Sequence, residues 1–392
     1  MTRRVDDWAD LVPYLLARNG QWHNLATGMP LEHPPVAERV REAYREAVEH
    51  ESFATRVSSY HGVLGDPDLR KSLALLYGDR FALPVSAEEV LITPGAQAAF
   101  HAVSAMTAAR GRRVVFFGPE YPGYRTHPEV AYDMLLPAVA EQGDREFRYL
   151  PPSGCLDEGV GAVIVSRPGN PSGNVIGDEE LAGLAGECAS VGALLVVDNA
   201  YAPVVPGLAF RDMGMPWGDN VVLVQSFSKG ALAGERLGFV LAAPPVIEEL
   251  AALQARVSTF PAQLVQLAAC LLLSDDRYVK LCEQELRGLY ADRHRLVRER
   301  LDAEVEVPFR LHAVDGGQFQ WIHLPELPVP AAELFFTLRD RGVLLAPSTP
   351  FYLPHLHEDP HARQSFRIGV TAPPPAIEAG LSIFAEVVNE LA

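Results

Sequence analysis

Short apolar runs alternate with segments of helical periodicity through the middle of the chain. The runs lie at residues 90–93, 113–117, 162–166, 193–197 and 221–225. Helical segments follow two of them, at residues 97–109 and 178–191. Runs that are apolar throughout are typical of parallel strands covered on both faces, and their alternation with helices predicts βαβ units. We therefore expect an α/β fold around a parallel sheet.

The pattern changes near residue 275. A charged helix is predicted there, followed by alternating apolar and polar positions and a further helix, at residues 277–301, 309–324 and 330–341. An amphipathic helix at 35–50 precedes the middle region. We expect three parts: an N-terminal segment at 1–60, a large domain at 61–275, and a smaller α+β domain at 276–392 that the N-terminal segment joins.

Composition narrows the class of partner. Of the 392 residues, 48% are apolar and 21% are charged, as in ordinary globular proteins. Acidic side chains outnumber basic ones by 50 to 33, and the formal net charge of −17 disfavours nucleic-acid binding. The four cysteines show no CxxC spacing, and the first residues form no continuous apolar segment. We expect a cytoplasmic protein with reduced thiols and no membrane contact.

Polar or aromatic residues follow each predicted strand. In a parallel sheet these positions meet at one edge, where ligands bind. Gly95 opens a helix whose free N–H groups favour an anion, and Ser226, Ser228 and Arg236 follow the run at 221–225. Neither GxGxxG nor GxxxxGK(S/T) is present, so a cofactor with a single phosphate fits better than a dinucleotide or a triphosphate.

Lys229 is the candidate nucleophile. The chain has three lysines, Lys71, Lys229 and Lys280, and Lys229 is the one that ends a buried-strand pattern among serines. A surface lysine is the commoner role, but the neighbouring phosphate site and Asp198 one strand away favour amine chemistry. Asp198 is placed either to pair with a protonated ring nitrogen or to cap a helix. Tyr121 is placed either to stack on a flat ring or to pack in the core.

Five segments, in this order along the chain, resemble the class I/II aminotransferases, which are fold type I pyridoxal-phosphate enzymes. They are SRPGNPSG at 166–173, DNAY at 198–201, SFSKGALAGERLG at 226–238, GGQF at 316–319 and FRIG at 366–369. Within the family, segments 119–124, 167–174 and 198–201 look most like the valine–pyruvate aminotransferases. The resemblance covers nearly the whole chain. It implies a large domain with a mostly parallel seven-stranded sheet between helices, and a smaller α+β domain.

The resemblance also implies how pyridoxal 5'-phosphate is bound. Lys229 forms a Schiff base with it, Asp198 binds the pyridine nitrogen, and Tyr121 covers the ring. Asn170 and Tyr201 bind the phenolic oxygen. The phosphate is held by the backbone amides of Ala96 and Gln97, by Ser226, Ser228 and Arg236, and by Tyr60 from the second subunit of a homodimer.

On the substrate side, the resemblance implies that Arg367 pairs with the α-carboxylate and that Gly28 and Asn170 lie beside the substrate. Catalysis would rest on Lys229, which takes the α-proton, with Asp198 and Tyr201. The implied reaction is transamination between a small or aliphatic amino acid and a 2-oxo acid, of the valine/alanine–pyruvate type.

Two alternatives remain open. The same residues would serve β- or γ-elimination, replacement or cyclisation of an amino acid in a specialised-metabolite pathway. A non-enzymatic, aminotransferase-like sensor domain is the other, although the N-terminal region is too short and too acidic for the helix-turn-helix domain that usually accompanies one. Whether amino acids convert the cofactor to its pyridoxamine form distinguishes the readings.

Several positions depart from the family pattern or imitate another one. Ser348 stands where relatives usually have glycine, and Glu235 places an acid beside Arg236, so the identity of the substrate stays open. Residues 357–361 match HExxH, a zinc-protease pattern that requires both histidines on one helix face. Because Pro354 and Pro360 interrupt a helix, we expect a loop there and no metal site.

Overall fold

Helices occupy much of the chain and agree with the predicted periodic segments. The computed structural model describes residues 4–16, 21–201 and 204–391. The remaining positions of the three predicted parts, 1–60, 61–275 and 276–392, lie outside the described residues. The α-helices are α1 (Trp8–Leu15), α2 (Pro34–Glu49), α3 (Phe53–Ser58), α4 (Pro67–Phe81), α5 (Ala96–Ala109), α6 (Asp178–Ser190), α7 (Pro244–Ala255), α8 (Gln263–Leu272), α9 (Arg277–Lys280), α10 (Arg287–Glu304), α11 (Ala331–Arg341), α12 (Pro360–Arg363) and α13 (Pro374–Asn389).

The strands fall into three sheets. They are β1 (His23–Asn24), β2 (Val90–Thr93), β3 (Arg113–Phe117), β4 (Tyr132–Leu135), β5 (Ala138–Gln142), β6 (Glu146–Leu150), β7 (Val160–Ser166), β8 (Leu194–Asp198), β9 (Val221–Ser226), β10 (Gly238–Ala242), β11 (Arg310–His312), β12 (Phe319–His323), β13 (Val343–Leu344), β14 (Ala346–Pro347) and β15 (Ser365–Gly369). All five apolar runs of the sequence form strands: β2 and β3 have the predicted bounds, and the ends of β7, β8 and β9 differ by at most two residues.

The main sheet has seven strands in the order β2-β10-β9-β8-β7-β3-β4. Its pairs are parallel except those of β10, which runs antiparallel to both β2 and β9. Alternate residues of the strands enter two separate cores, one with α5 and α7 and the other with α6 and α8. Helices therefore cover both faces, which explains the fully apolar strands and confirms the predicted fold class.

A second, six-stranded sheet has the order β14-β15-β12-β11-β6-β5. Its strands β5 and β6 come from the predicted large-domain range, and β6 pairs in parallel with β11. The sequence analysis did not predict this hairpin. Most residues of β5 are exposed, so it lacks the apolar run by which the strands of the main sheet are recognised.

The charged helix predicted at 277–301 is continuous in direction but not in hydrogen-bonding pattern. It consists of α9, a π-helical segment at Leu281–Leu286, and α10, which continues to Glu304. Side-chain periodicity does not distinguish a π-helical turn from an α-helical one, because the apolar spacing changes by only one residue.

The N-terminal residues contact both parts of the fold. The Val5 N–H donates to the Ala332 carbonyl (3.2 Å), and β1 pairs with β13, so these residues pack on C-terminal elements. In contrast, α2 packs against α8, where Arg39 Nη2 donates to the Leu271 carbonyl (2.8 Å). The three-part division stays a prediction. Among the described residues, no helix combines the length and apolar character that a bilayer span requires.

Candidate active site

A cavity of about 370 Å³ lies where the main-sheet strands end. All predicted site residues except Tyr60 line it: Gly28, Ala96, Gln97, Tyr121, Asn170, Asp198, Tyr201, Ser226, Ser228, Lys229, Arg236 and Arg367. A further group of apolar lining residues was not predicted as part of the site: Trp8, Leu15, Leu16, Met29, Pro30, Phe100 and Phe319. Most of the polar residues lie at the strand ends from which they were predicted, whereas Arg367, predicted from the family resemblance, and most of the apolar wall come from elements outside the main sheet.

Lys229 lies in a short 3₁₀ turn just after β9, with its amine inside the cavity. Its Nζ donates to the Gly28 carbonyl (2.5 Å) and lies 5.9 Å from the centre of the Tyr201 ring. Burial and the charge of Arg367 lower the pKa of Lys229 from 10.5 to about 8, against the opposing effect of Asp198. A substantial fraction of the amine is therefore neutral near physiological pH, as a nucleophile requires.

Asp198 is the last residue of β8 and points into the same cavity. Its Oδ2 accepts from the Tyr124 hydroxyl (2.6 Å) and its Oδ1 from the Ala200 N–H (2.9 Å). Burial raises the pKa of Asp198 to about 6, although both hydrogen bonds oppose the shift. A cationic ring nitrogen would compensate this buried charge. Tyr124 was not predicted as the partner of Asp198, although its position three residues after Tyr121 in the same loop was an available signal.

An anion cradle lies at the N-terminus of α5. Gly95 precedes the helix with φ +77° and has no side chain to cap the first N–H groups. A Cβ at Gly95 would lie 2.5 Å from Arg236 Nη2, so the glycine makes room for the guanidinium. Arg236 Nη1 donates to Ser228 Oγ (3.2 Å), and the Ser228 N–H donates to Ser226 Oγ (3.1 Å). Helix N–H groups, hydroxyls and an arginine together suit a phosphate dianion.

Arg367, on β15, provides a second cationic site in the cavity. Its Nη1 donates to Asn170 Oδ1 (2.9 Å) and its Nη2 to the Ala26 carbonyl (2.7 Å), and both acceptors are neutral oxygens. The guanidinium carbon lies 3.9 Å from the centre of the Phe319 ring. Burial lowers the pKa of Arg367 to about 10, so the group is cationic at neutral pH. Its buried Nε has no hydrogen-bond partner among the described residues, which leaves donor capacity for an anion.

The loop after β3 supplies an aromatic cover. The Tyr121 ring contacts the Trp8 ring edge to face, with centroids 5.7 Å apart. Gln97 Nε2 donates to the Gly123 carbonyl and so ties this loop to the first turn of α5. Both contacts hold the Tyr121 side chain at the cavity wall.

Tyr60 does not reach the cavity of its own chain. Its side chain is 93% exposed, and it contacts Phe260 edge to face at 6.1 Å. An aromatic ring this exposed is available to a second subunit.

The segment that matches HExxH does not form one helix. It begins after a 3₁₀ turn at Pro354–Leu356, and of its residues α12 contains Pro360 and His361 but not His357. His361 stacks on His323 with centroids 4.1 Å apart and contacts the Tyr149 hydroxyl, whereas His357 Nε2 lies 3.4 Å from the Tyr352 carbonyl. The two histidines of the pattern therefore face different neighbours.

Comparison with known proteins agrees with this geometry. Residues 21–382 match the family model described as aminotransferase class I and II. The chain is 29% identical to valine–pyruvate aminotransferase of Escherichia coli (strain K12) over 380 residues, which cover 93% of this chain and 90% of that protein.

Solved structures give the same result. Valine–pyruvate aminotransferase of Salmonella typhimurium LT2 superposes with a TM-score of 0.85 at 29% identity, covering 94% of this chain and 95% of that one. A protein assigned as an amino-acid aminotransferase, from Psychrobacter arcticum 273-4, superposes with a TM-score of 0.92 at 25% identity, covering 98% and 95%. The chain belongs to the class I and II aminotransferases, fold type I enzymes that use pyridoxal 5'-phosphate.

Proposed function

We propose that this enzyme transfers the amino group between a small or aliphatic amino acid, valine or alanine, and pyruvate. The observation that carries the proposal is the position of Arg367, a buried cation with neutral hydrogen-bond acceptors, in one cavity with the Lys229 amine and an apolar wall. The relatives named as valine–pyruvate aminotransferases support the same choice.

The cavity residues fit pyridoxal 5'-phosphate in three respects. The cradle of Gly95 and Arg236 suits its phosphate, buried Asp198 suits its ring nitrogen, and the lowered pKa of Lys229 suits bonding to its aldehyde. In this proposal the remaining contacts come from Ala96, Gln97, Ser226 and Ser228 at the phosphate, Asn170 and Tyr201 at the phenolic oxygen, and Tyr121 over the ring. When bound, the cofactor supplies an electron-withdrawing ring that stabilises negative charge at the substrate α-carbon.

The protein residues then orient the substrate and move one proton. Arg367 binds the α-carboxylate and Asn170, already bonded to Arg367, fixes its direction. Gly28 lies beside the substrate, because it borders the Lys229 amine: a Cβ built on Gly28 would be 4.0 Å from Lys229 Nζ. When Lys229 Nζ is a free amine, it removes the proton from the substrate α-carbon and holds that proton as an ammonium group. Tyr121 and Trp8 contact each other at the cavity wall and restrict the access of water on that side.

The cavity wall supports an uncharged substrate side chain. Among the described lining residues, the charged side chains are Asp198, Lys229, Arg236 and Arg367. Each already has a role toward the cofactor or the α-carboxylate. The remaining wall near Arg367 is formed by apolar side chains, so a second substrate carboxylate would be buried there without a cation, at a large cost in free energy.

We further propose that the enzyme is a cytoplasmic homodimer. Exposed Tyr60 would extend from one subunit to the phosphate cradle of its partner. The formal charge of −17 opposes binding to nucleic acids and to anionic membrane surfaces. Size-exclusion chromatography with light scattering tests the assembly, and a monomer at micromolar concentration would refute it.

The function is tested by adding a panel of amino acids to the purified holoenzyme and monitoring the absorbance of the cofactor. Valine and alanine should convert the cofactor to its pyridoxamine form, and pyruvate should restore the aldehyde form with release of alanine. Aspartate and lysine serve as charged controls and should react far more slowly. Release of ammonia and a 2-oxo acid without conversion of the cofactor would instead support the elimination chemistry.

A further inference from the structure

Glu120 is a buried carboxylate behind the cavity for which the reaction described above has no use. It follows β3, is 6% exposed, and does not line the cavity itself. Three donors converge on it: Oε1 accepts from the Tyr121 N–H (2.8 Å) and the Ser166 hydroxyl (2.5 Å), and Oε2 accepts from the Ser166 N–H (2.9 Å). Burial raises the pKa of Glu120 to about 8, and the three hydrogen bonds, one of them short, act against that shift and favour the ionised form.

From Glu120 the hydrogen bonds continue to the substrate side of the cavity. Ser166 Oγ, while donating to Glu120, accepts from the Asn170 N–H (2.9 Å). Asn170 Oδ1 in turn accepts from Arg367 Nη1 (2.9 Å). Glu120 and Arg367 are therefore joined through two polar residues, of which one is the last residue of β7.

The position of Ser166 explains why a carboxylate is needed there. Strand β3 pairs with β7 only as far as Ile164, so the Ser166 N–H lies beyond the end of that ladder. Glu120 Oε2 replaces the missing strand acceptor, and Oε1 at the same time sets the direction of the Ser166 hydroxyl. An alcohol or an amide at residue 120 carries a donor hydrogen of its own. In this position that hydrogen would face one of the three donors, so neither group can accept all three hydrogen bonds.

We propose that Glu120 is a positioning residue for recognition of the substrate carboxylate, acting through Ser166 and Asn170 on Arg367. This proposal rests on the proposed function, in which Arg367 binds the α-carboxylate. Through the Tyr121 N–H, the same carboxylate also fixes the loop that carries the aromatic cover, so one buried acid aligns two walls of the site.

Two probes separate positioning from a general structural role. Isovalerate has the carbon skeleton and carboxylate of valine without the amine, and isobutylamine has the amine without the carboxylate. We would measure the dissociation constant of each for the holoenzyme, by calorimetry and by absorbance, in the wild type, Glu120→Gln, Ser166→Ala and the double variant. Each single substitution should weaken isovalerate about tenfold, the effect of disturbing one hydrogen bond to a charged group. Isobutylamine binding should change less than twofold, about the scatter of such measurements.

The double variant should be no weaker toward isovalerate than the single variants, because both substitutions break the same chain of contacts. Glu187→Gln is the matched control. Glu187, like Glu120, accepts three hydrogen bonds, in its case all from backbone N–H groups, those of Gly154, Cys155 and Leu156, but it lies outside the cavity lining. It should lower the melting temperature and leave both dissociation constants unchanged.

The outcomes are distinguishable. If Glu120→Gln lowers the melting temperature but leaves isovalerate binding unchanged, or weakens both probes equally, Glu120 has a structural role alone and the inference is wrong. Additive effects in the double variant would overturn the link through Ser166. If Glu120→Gln fails to fold, Ser166→Ala decides by itself, because it retains the Ser166 N–H bond. If wild-type holoenzyme does not bind isovalerate, the carboxylate site of the proposed function is itself wrong.

Discussion

The substitution Gly95→Ala tests the anion cradle without touching a side chain that contacts the cofactor. Gly95 has φ +77° and ψ 168°, a region that is almost confined to glycine. An added Cβ would lie 2.5 Å from Arg236 Nη2 and 3.1 Å from its Cζ. The end of the arginine side chain must therefore move away from the helix N-terminus.

Two effects of different kind follow from this geometry. Backbone strain is present with and without cofactor, so it lowers the free energy of unfolding by ~1–3 kcal/mol and leaves cofactor affinity alone. Displacement of Arg236 removes a charge-assisted contact to the phosphate, which contributes ~1.5–3 kcal/mol. We therefore expect the dissociation constant for pyridoxal 5'-phosphate to rise about 10- to 100-fold.

The assay is titration of the apoenzyme with pyridoxal 5'-phosphate, followed by absorbance, together with thermal unfolding of the apoenzyme. Gly111→Ala is the control, because Gly111 also has a positive φ (+65°), but among the described residues no atom beyond its own chain neighbours lies within 4 Å of an added Cβ. It should reduce stability and leave cofactor affinity unchanged. An unchanged affinity in Gly95→Ala, or an equal loss in Gly111→Ala, would refute the assignment of the cradle.

Three further predictions concern the amine, the apolar wall and the subunit contact. The pKa of Lys229 falls from 10.5 in the unfolded chain to about 8 in the folded one, so between these pH values the unfolded state binds more protons and the stability of the apoenzyme rises with pH. Lys229→Met should abolish this dependence of the unfolding free energy on pH, measured by denaturant titration. Leu15→Ala should raise kcat/KM for leucine relative to valine about fourfold, because leucine has one more methylene to bury in the enlarged cavity. Leu11→Ala, on the same helix but buried away from the cavity, should leave the ratio unchanged. Tyr60→Ala should weaken cofactor binding without changing the melting temperature of the apoenzyme, since the side chain is exposed within its own chain; a wild-type affinity would exclude a contribution from the partner.

The polar half of the site could be predicted because its residues are tied to local patterns. Asp198 and Ser226 end strands β8 and β9, Ala96 begins α5 after β2, and neighbouring parallel strands end at the same edge of the sheet. A short apolar run followed by a polar residue is thus enough to place a side chain in the cavity. The resemblance to a known family then assigned chemistry to those positions, which periodicity alone does not do.

The apolar half could not be predicted, because it depends on contacts between distant residues. The Val5 N–H reaches the Ala332 carbonyl, and this docking brings Trp8 and Leu15 of α1 to the cavity. Nothing in the periodicity of a short helix indicates which of its apolar residues will face a ligand and which, like Leu11, will enter the core. The β5–β6 hairpin was missed for a related reason, since its place beside β11 comes from pairing between residues far apart on the chain, Glu146 with Leu311.

The sequence by itself determined the class of fold and the positions of the strand ends, since these follow from residue types within a few positions of one another. The reactive groups stay a prediction, made from those strand ends together with the family resemblance. Only the tertiary structure decided how those groups are tuned. The pKa of Lys229 depends first on its burial and then on Arg367, which lies 138 positions later on the chain. The orientation of Arg367 depends on Asn170 and, through Ser166, on Glu120. Burial and electrostatic coupling act through space, so they arise only when the chain has folded.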